Sequence, residues 1–299
     1  MYNMHQWGDI MRKFIVSDIH GLDNFYYSIM NYLDNINKEE DVTLYINGDV
    51  IDRGINSAEI LLDLKNRIEL NTFKIVYLGG NHELMMFEEF KRREMGINFK
   101  YNDWYLNGGK ITNDGLEKRL DKDKILEVVD FISNLSIYHE FEEKINNKNI
   151  LLVHAASPLI AKNPCNLKIK DNEFKIYYNV WAREEESYLP FRCRIGNKNN
   201  FTIVGHTPNN SKRGYVYHEK GNFLNIDGGC AAYAIGYTSY EHFPLVEIKD
   251  NYLKILTFNN NYEIIQGNYF DGEESTLLNE DELNIERKYL NNNLKAKIK

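Results

Sequence analysis

The sequence is poor in cysteine: Cys165, Cys193 and Cys230 stand alone among 299 residues. An odd number of thiols without paired spacing excludes a disulfide framework and a thiolate zinc knuckle. It predicts reduced, buried side chains in a cytoplasmic protein. Positive charge is also in deficit. Lys and Arg total 36 against 44 Asp and Glu, a formal net charge of −8. Nucleic-acid backbones are bound through basic side chains that displace counterions, so no broad nucleic-acid footprint is expected. A local phosphate site stays compatible with this balance, because bound cations supply charge that composition does not display. Long apolar runs are missing too: none approaches the ~20 residues of a membrane span, so no membrane partner is expected. Residues 1–10 lack the charged start and apolar middle of a signal peptide and are expected to be a disordered extension. A chain of this size buries roughly 75% of its unfolded surface and needs no cross-link to hold a core.

What is present is an alternation of strands and helices. Residues 13–16 form a short apolar run, broken at 18–21. Leu22, Phe25, Tyr26, Ile29, Met30 and Leu33 then recur at helical spacing, predicting a helix over 22–36. Residues 42–46 read as a buried strand ending in Asn47-Gly48-Asp49, and Ser57 as the N-cap of a helix through Ile60, Leu61, Leu64 and Ile68. A third strand, 73–78, ends in Gly79-Gly80-Asn81-His82. This order argues for right-handed βαβ units and a parallel sheet, an α/β fold. Residues 83–135 read as a helical insert interrupted at Gly108-Gly109. Short strands follow at 150–153, 201–204 and 223–226, then a hairpin of 244–248 and 252–258 about Lys249-Asp250-Asn251. One domain is expected over 11–271. Residues 272–299, with sparse apolar positions at Leu283, Ile285, Leu290 and Leu294, form either a docked helix or a loose tail.

Polar clusters stand just past the ends of predicted strands: Asp18 and His20, Asp49, Asn81 and His82, His154, and His206. Ligand sites of α/β sheets form along that edge. Asp18 and His20 lie two residues apart, a spacing that puts both on one face of an extended strand end. Asp49 adds a carboxylate able to bridge two cations, Asn81 an amide oxygen, and His154 and His206 two imidazoles. Oxygen and nitrogen donors without thiolate suit manganese, iron or zinc. Two such ions could activate a bridging water and clamp a phosphoryl group for in-line displacement. Singly, each residue has a blander explanation, since Asp and Asn at strand ends are common turn formers. Their ordered recurrence does not. His5, His139, His218 and His242 have no ligand partner in a recognisable frame.

Asp18-Ile19-His20-Gly21, Gly48-Asp49-Val50-Ile51-Asp52-Arg53-Gly54, Gly80-Asn81-His82-Glu83, Val153-His154-Ala155 and Gly205-His206-Thr207 resemble the successive motifs of the calcineurin-like metallophosphoesterases. More narrowly, they are similar to the small bacterial and phage members of the phosphoprotein phosphatase branch. The resemblance implies a four-layer α/β/β/α sandwich with a two-metal site at its strand ends. It implies that Asp18 and His20 hold the first metal, that Asp49 bridges, and that Asn81, His154 and His206 complete the second. By the same resemblance His82 is the acid that protonates the leaving oxygen, with Asp52 orienting it. Arg53 is then a phosphate-binding arginine, and Arg183, in Val180-Trp181-Ala182-Arg183-Glu184, the second. Departures are Ser17 where Gly is usual, Ala155-Ala156 after His154, Thr207 where distant members carry a further His, and Gly79 where eukaryotic members carry Arg. With the eukaryotic C-terminal signature also missing, no eukaryotic-type regulatory subunit is expected.

Three functions follow as expectations. The first is a manganese-dependent serine/threonine protein phosphatase that uses metal hydroxide for in-line attack and no nucleophilic Cys or Ser. The second is a nucleotide hydrolase of the diadenosine tetraphosphatase type, with 2′,3′-cyclic phosphodiesterase activity a further variant. The third, an inactive interaction module, is disfavoured because every ligand position and the acid pair are kept. Substrate choice is expected to lie in the insert and in residues 157–176, where Tyr101, Trp104 and Tyr105 either line a groove or pack the insert onto the core.

Overall fold

The structure, a computed structural model, describes residues 11–97, 102–157, 179–183, 196, 199–219 and 222–291. The expected extension at 1–10, together with Cys165, Cys193, Tyr101, Leu294 and the loop from 158 onward, lies outside the described residues. Cys230 is buried and unpaired, as expected.

The first strand, β1 (Arg12–Val16), pairs in parallel with β2 (Val42–Asn47), and β2 with β3 (Lys74–Leu78). Helices α1 (Asp23–Ile36) and α2 (Ser57–Leu70) make the crossovers. Ser57 is the first residue of α2 and not its cap; Asn56 caps the helix, and the Ser57 hydroxyl donates to the Gly54 carbonyl at 2.6 Å. The insert comprises α3 (Asn81–Glu94), α4 (Asp103–Leu106), α5 (Lys110–Arg119) and α6 (Lys122–Ser133), with Gly108-Gly109 falling between α4 and α5. Side-chain oxygens of Asn102 and Asp121 cap α4 and α6.

The second half builds a sheet from β4 (Tyr138–Ile145), β5 (Lys148–Val153), β6 (Asn200–Val204), β7 (Val216–His218) and β8 (Phe223–Asn225), in the order β4-β5-β6-β8-β7. A short helix, α7 (Cys230–Ala234), precedes β9 (Phe243–Lys249), which returns antiparallel to β1. Strands β10 (Tyr252–Phe258), β11 (Ile264–Phe270) and β12 (Ser275–Leu277) extend that first sheet to seven strands. Asn251, at φ 68°, turns the β9–β10 hairpin. The chain then forms α8 (Glu280–Asn291), which docks through Leu283 and Leu290. Within its described residues, the expected choice between helix and tail resolves as a docked helix.

Alternation along the strands separates two cores. Phe14, Val16, Leu44, Ile46 and Leu245 face the helices. Their neighbours Ile15, Tyr45 and Val246 meet Phe201, Ile203, Leu152 and Leu224 of the other sheet. Two sheets thus stack face to face, with helices α1 to α3 outside the larger one, in the expected mixed α/β sandwich. Strands β1, β2 and β3 in one sheet, and β5, β6 and β8 in the other, are mutually parallel. Their C-terminal ends meet along one rim.

Candidate metal centre

Neighbouring loops at this rim are laced together in two places by backbone hydrogen bonds. The His20 and Gly21 amides donate to the carbonyls of Asp49 and Val50, and the Gly205 amide to the carbonyl of His154. These loops carry unusual backbone angles. Asp18, His20, Asp49, Asp52, Arg53 and His206 all have φ between 45° and 73°. Elsewhere among the described residues, positive φ at non-glycine positions falls on asparagines and on Tyr262. Asparagine, aspartate and histidine enter that region more readily than other side chains, but away from glycine it still carries a cost, of order 1–3 kcal/mol where strained. Strain of this kind collected on one rim marks a place where side-chain direction outweighs backbone comfort. Two glycines permit the closeness. A Cβ on Gly80 would collide with the Asp49 carboxylate, and one on Gly205 with Asp18 and Ser17.

The imidazole tautomers follow from their outer partners, because a backbone carbonyl only accepts. His20 Nδ1–H donates to the Ile51 carbonyl at 2.9 Å, and His154 Nδ1–H to the Asn47 carbonyl at 2.8 Å. Both rings therefore turn an unprotonated or protonatable Nε2 toward Asp49 Oδ2, at 3.4 and 3.3 Å. His206 is reversed: its Nε2–H donates to the Trp181 carbonyl at 3.2 Å, leaving Nδ1 2.8 Å from Asn81 Oδ1. That oxygen also lies 3.1 Å from His154 Nε2. Outer carbonyls that fix the tautomer and aim the free nitrogen inward are a usual support for metal-binding histidines.

Two groupings have donor atoms within 4.8 Å of one another: His20, Asp49 and His82, and Asp49, His154 and His206. Asp49 is common to both, as a bridging carboxylate would be. Asn81 stands at the second through its amide oxygen. Asp18 belongs to neither; its oxygens accept the His206 amide at 3.0 and 3.1 Å and the Ser17 hydroxyl. His82, to which the family resemblance gives the role of acid, also stands in the first grouping. The electrostatics are those of crowded, buried donors. Burial and the nearby Asp227 carboxylate push Asp18 well above the usual carboxylate range. Burial also raises Asp49, but His154 and His82 outweigh it and hold Asp49 well below that range. Burial lowers His20 and His154, yet the Asp49 carboxylate, joined by Asp18, brings them up to about 9 and about 10. Burial, with His154 and Arg183 nearby, drives His206 down. All-buried oxygen and nitrogen donors, converging with their outer atoms already engaged, fit a pair of divalent cations.

Beside these donors, His82 Nδ1 pairs with Asp52 Oδ2 at 2.6 Å. The Nε2 atom is left facing Asp49 Oδ2, 3.9 Å away, where it can either ligate or carry a proton. Arg53 follows Asp52 directly, and its buried Nε has no hydrogen-bond partner among the described residues. Arg183 reaches the opposite side of the rim, where Nη1 donates to Thr207 Oγ1 at 3.1 Å. His139 meets Phe141 edge to face, with the planes at 79°, and His218 stacks on Phe223.

Two buried carboxylates at the rim stand outside the site residues expected from the sequence. Glu83 accepts four hydrogen bonds, from the amides of Asp49, Val50 and Gly80 and from the Tyr77 hydroxyl, at 2.7–2.9 Å. It ties the β2 loop to the start of α3. Its place in Gly80-Asn81-His82-Glu83 was visible, but nothing in the pattern distinguishes a buried anchor from a solvated helix acid. Asp227, past the end of β8, is buried beside Asp18 and accepts the Gly229 amide at 2.8 Å; burial raises its carboxyl to about 6. Its position at a strand end followed by two glycines was the available signal.

The family model of calcineurin-like phosphoesterases matches residues 11–236. Among solved structures, the chain is similar to a protein serine/threonine phosphatase from Saccharomyces cerevisiae with similarity to human phosphatase PP5. Identity is 14%, with a TM-score of 0.49 over 84% of this chain and 81% of that one. It is also similar to a putative diadenosine tetraphosphatase, at 15% identity and a TM-score of 0.48 over 83% of this chain and 93% of that one. No curated protein sequence matches. On the extent of the family match, the chain belongs to the calcineurin-like phosphoesterases and is a metal-dependent hydrolase.

Proposed function

We propose that this calcineurin-like phosphoesterase is a phosphomonoesterase acting on phosphoserine and phosphothreonine in proteins. The observation that carries the reading is the buried His82–Asp52 pair. A serine or threonine alkoxide is a poor leaving group, so its departure gains most from a positioned acid. A nucleoside polyphosphate leaves readily without one.

We assign Asp18, His20, Asp49, Asn81, His154 and His206 to two divalent metals, with manganese as the working ion and iron or zinc as competitors. Bound there, divalent ions would activate water and neutralise the phosphoryl oxygens. The chain's own groups do the rest. Arg53, whose buried Nε–H has no hydrogen-bond partner among the described residues, takes the phosphate oxygens, and Arg183 approaches from beside Thr207. Water gives one proton to solvent, and as the new P–O bond forms to the resulting hydroxide the ester P–O bond breaks. The Nε2 proton of His82 then passes to the leaving oxygen, while Nδ1–H keeps its bond to Asp52. Asp18, whose oxygens accept the His206 amide at 3.0 and 3.1 Å, would serve as a further carboxylate ligand of the first metal.

The test sets phosphate release from a phosphoserine peptide beside cleavage of diadenosine tetraphosphate, using metal-stripped protein restored with Mn²⁺. Faster, metal-dependent release from the peptide is the expected result. Cleavage of the dinucleotide alone overturns the substrate assignment in favour of nucleotide hydrolysis. Neither activity, with metal bound, removes the catalytic reading.

A further inference from the structure

The helical insert was expected to choose substrates, yet two of its buried side chains touch Asp52 instead. Trp104 Nε1–H donates to Asp52 Oδ2 at 2.9 Å, and Thr112 Oγ1–H to Asp52 Oδ1 at 2.5 Å. The same Thr112 oxygen accepts the Asp52 amide at 3.0 Å. With His82 on Oδ2, both carboxylate oxygens are engaged and the whole group is sealed: Asp52 and Thr112 are 0% exposed and Trp104 1%. Asp52 itself sits at φ 73°, in the left-handed region.

We infer that Trp104 and Thr112 are positioning residues for the acid, holding Asp52 so that His82 presents Nε2 to the leaving oxygen. This rests on the reading of His82 as that acid. Neither side chain reaches solvent, so neither touches substrate, and both act through the carboxylate. A carboxylate is free to rotate about its Cα–Cβ and Cβ–Cγ bonds. Two donors on different oxygens, one from α4 and one from α5, remove that freedom, and His82 inherits the fixed direction. The turn between those helices is built for the contact. A Cβ on Gly109 would strike the Trp104 indole, and one on Gly108 would crowd Arg53. Phe90 packs on the other side, with ring centroids 5.9 Å apart. Sequence reading gave Trp104 the choice of groove or core; it is core, with its one polar atom turned to the site.

A positioned acid matters in proportion to how poor the leaving group is, and that separates positioning from general damage. Trp104→Phe, Thr112→Val, Thr112→Ser and the reference His82→Asn are compared on p-nitrophenyl phosphate, a good leaving group, and on an alkyl phosphate, a poor one. Urea unfolding and metal content are measured on each. Trp104→Phe and Thr112→Val are expected to lose roughly 10- to 100-fold in kcat on the alkyl phosphate and several-fold less on the aryl one, with KM little changed. Thr112→Ser, which keeps the hydroxyl, recovers most of the loss. Equal losses on both esters, or losses that track stability or metal content, overturn the inference. If His82→Asn itself shows no dependence on leaving group, the acid reading fails first and the inference with it. A second measurement needs no turnover. In protein loaded with a diamagnetic divalent ion, the His82 Nδ1–H proton resonance, assigned by its loss in His82→Asn, should broaden or shift in Trp104→Phe and Thr112→Val. An unmoved resonance contradicts the inference.

Discussion

Arg53 illustrates how single residues at the rim are held for use rather than for stability. Its backbone lies at φ 70°, its stem is packed close to Gly108, and its buried Nε has no partner among the described residues. An unsatisfied buried donor costs about 1–3 kcal/mol, which a phosphate oxygen would offset. Arg53→Ala and Arg53→Lys are therefore each expected to lower kcat/KM for a phosphoserine peptide by roughly 10- to 100-fold, the worth of a charge-assisted bond of about 1.5–3 kcal/mol. Lysine keeps the charge and loses the fork. Activity close to the parent in Arg53→Lys would show that charge alone suffices.

At the scale of elements, the rim depends on the start of α3. Asn81, His82 and Glu83 occupy its first turn, and Glu83 satisfies the amides of Asp49, Val50 and Gly80 at once. Glu83→Ala strands those donors together with the Tyr77 hydroxyl. Unfolding in urea should show a loss of about 3 kcal/mol or more, with weaker metal binding. A loss below about 1 kcal/mol would mean that the loops are held by other contacts. The strands and helices that deliver the rim were readable from the sequence, because parallel buried strands such as β2 are continuous apolar runs ended by polar turns. β4 was not: in Tyr138–Ile145 only Phe141 and Ile145 are buried, and the remaining positions are largely charged. β11, interrupted by Gly267 and Asn268, and the three-residue strands β7 and β12 likewise lack a periodic signal. The donor types and their order were equally readable in the motifs. The partners of Asp52 were not, since Trp104 and Thr112 lie 52 and 60 residues away and reach it through tertiary packing alone.

Across the whole molecule, a buried charged cluster joins the two ends of the described chain. Arg12 of β1 pairs with Glu247 of β9 through Nε at 2.6 Å and Nη2 at 3.0 Å. Lys254 of β10 and Tyr32 of α1 both donate to Glu286 of α8. Burial alone would raise the Glu247 carboxyl, but the bonds and charge of Arg12 outweigh it and hold the pKa below the ordinary 4.5. A depressed folded pKa contributes stability that is complete above the unfolded value and lost as pH falls through the folded one. Glu247→Gln should therefore destabilise at pH 7, by less than the about 3–5 kcal/mol of a fully unpaired buried charge, because Arg12 keeps Glu286 at 3.7 Å and Glu40 at 3.5 Å. The difference from the parent should shrink steadily below the unfolded value. Urea unfolding of both proteins across that range checks the sign, and a difference that grows toward acid pH would refute it.

If the rim at the strand ends holds two divalent ions, hydrolysis depends on both. Mn²⁺ titrated into metal-free protein, with bound metal counted by equilibrium dialysis and phosphate release followed at each step, tests it most directly. Two ions per chain, with activity rising as the second site fills, is the predicted result. Full activity with one ion bound, or activity that survives an excess of chelator, would contradict it.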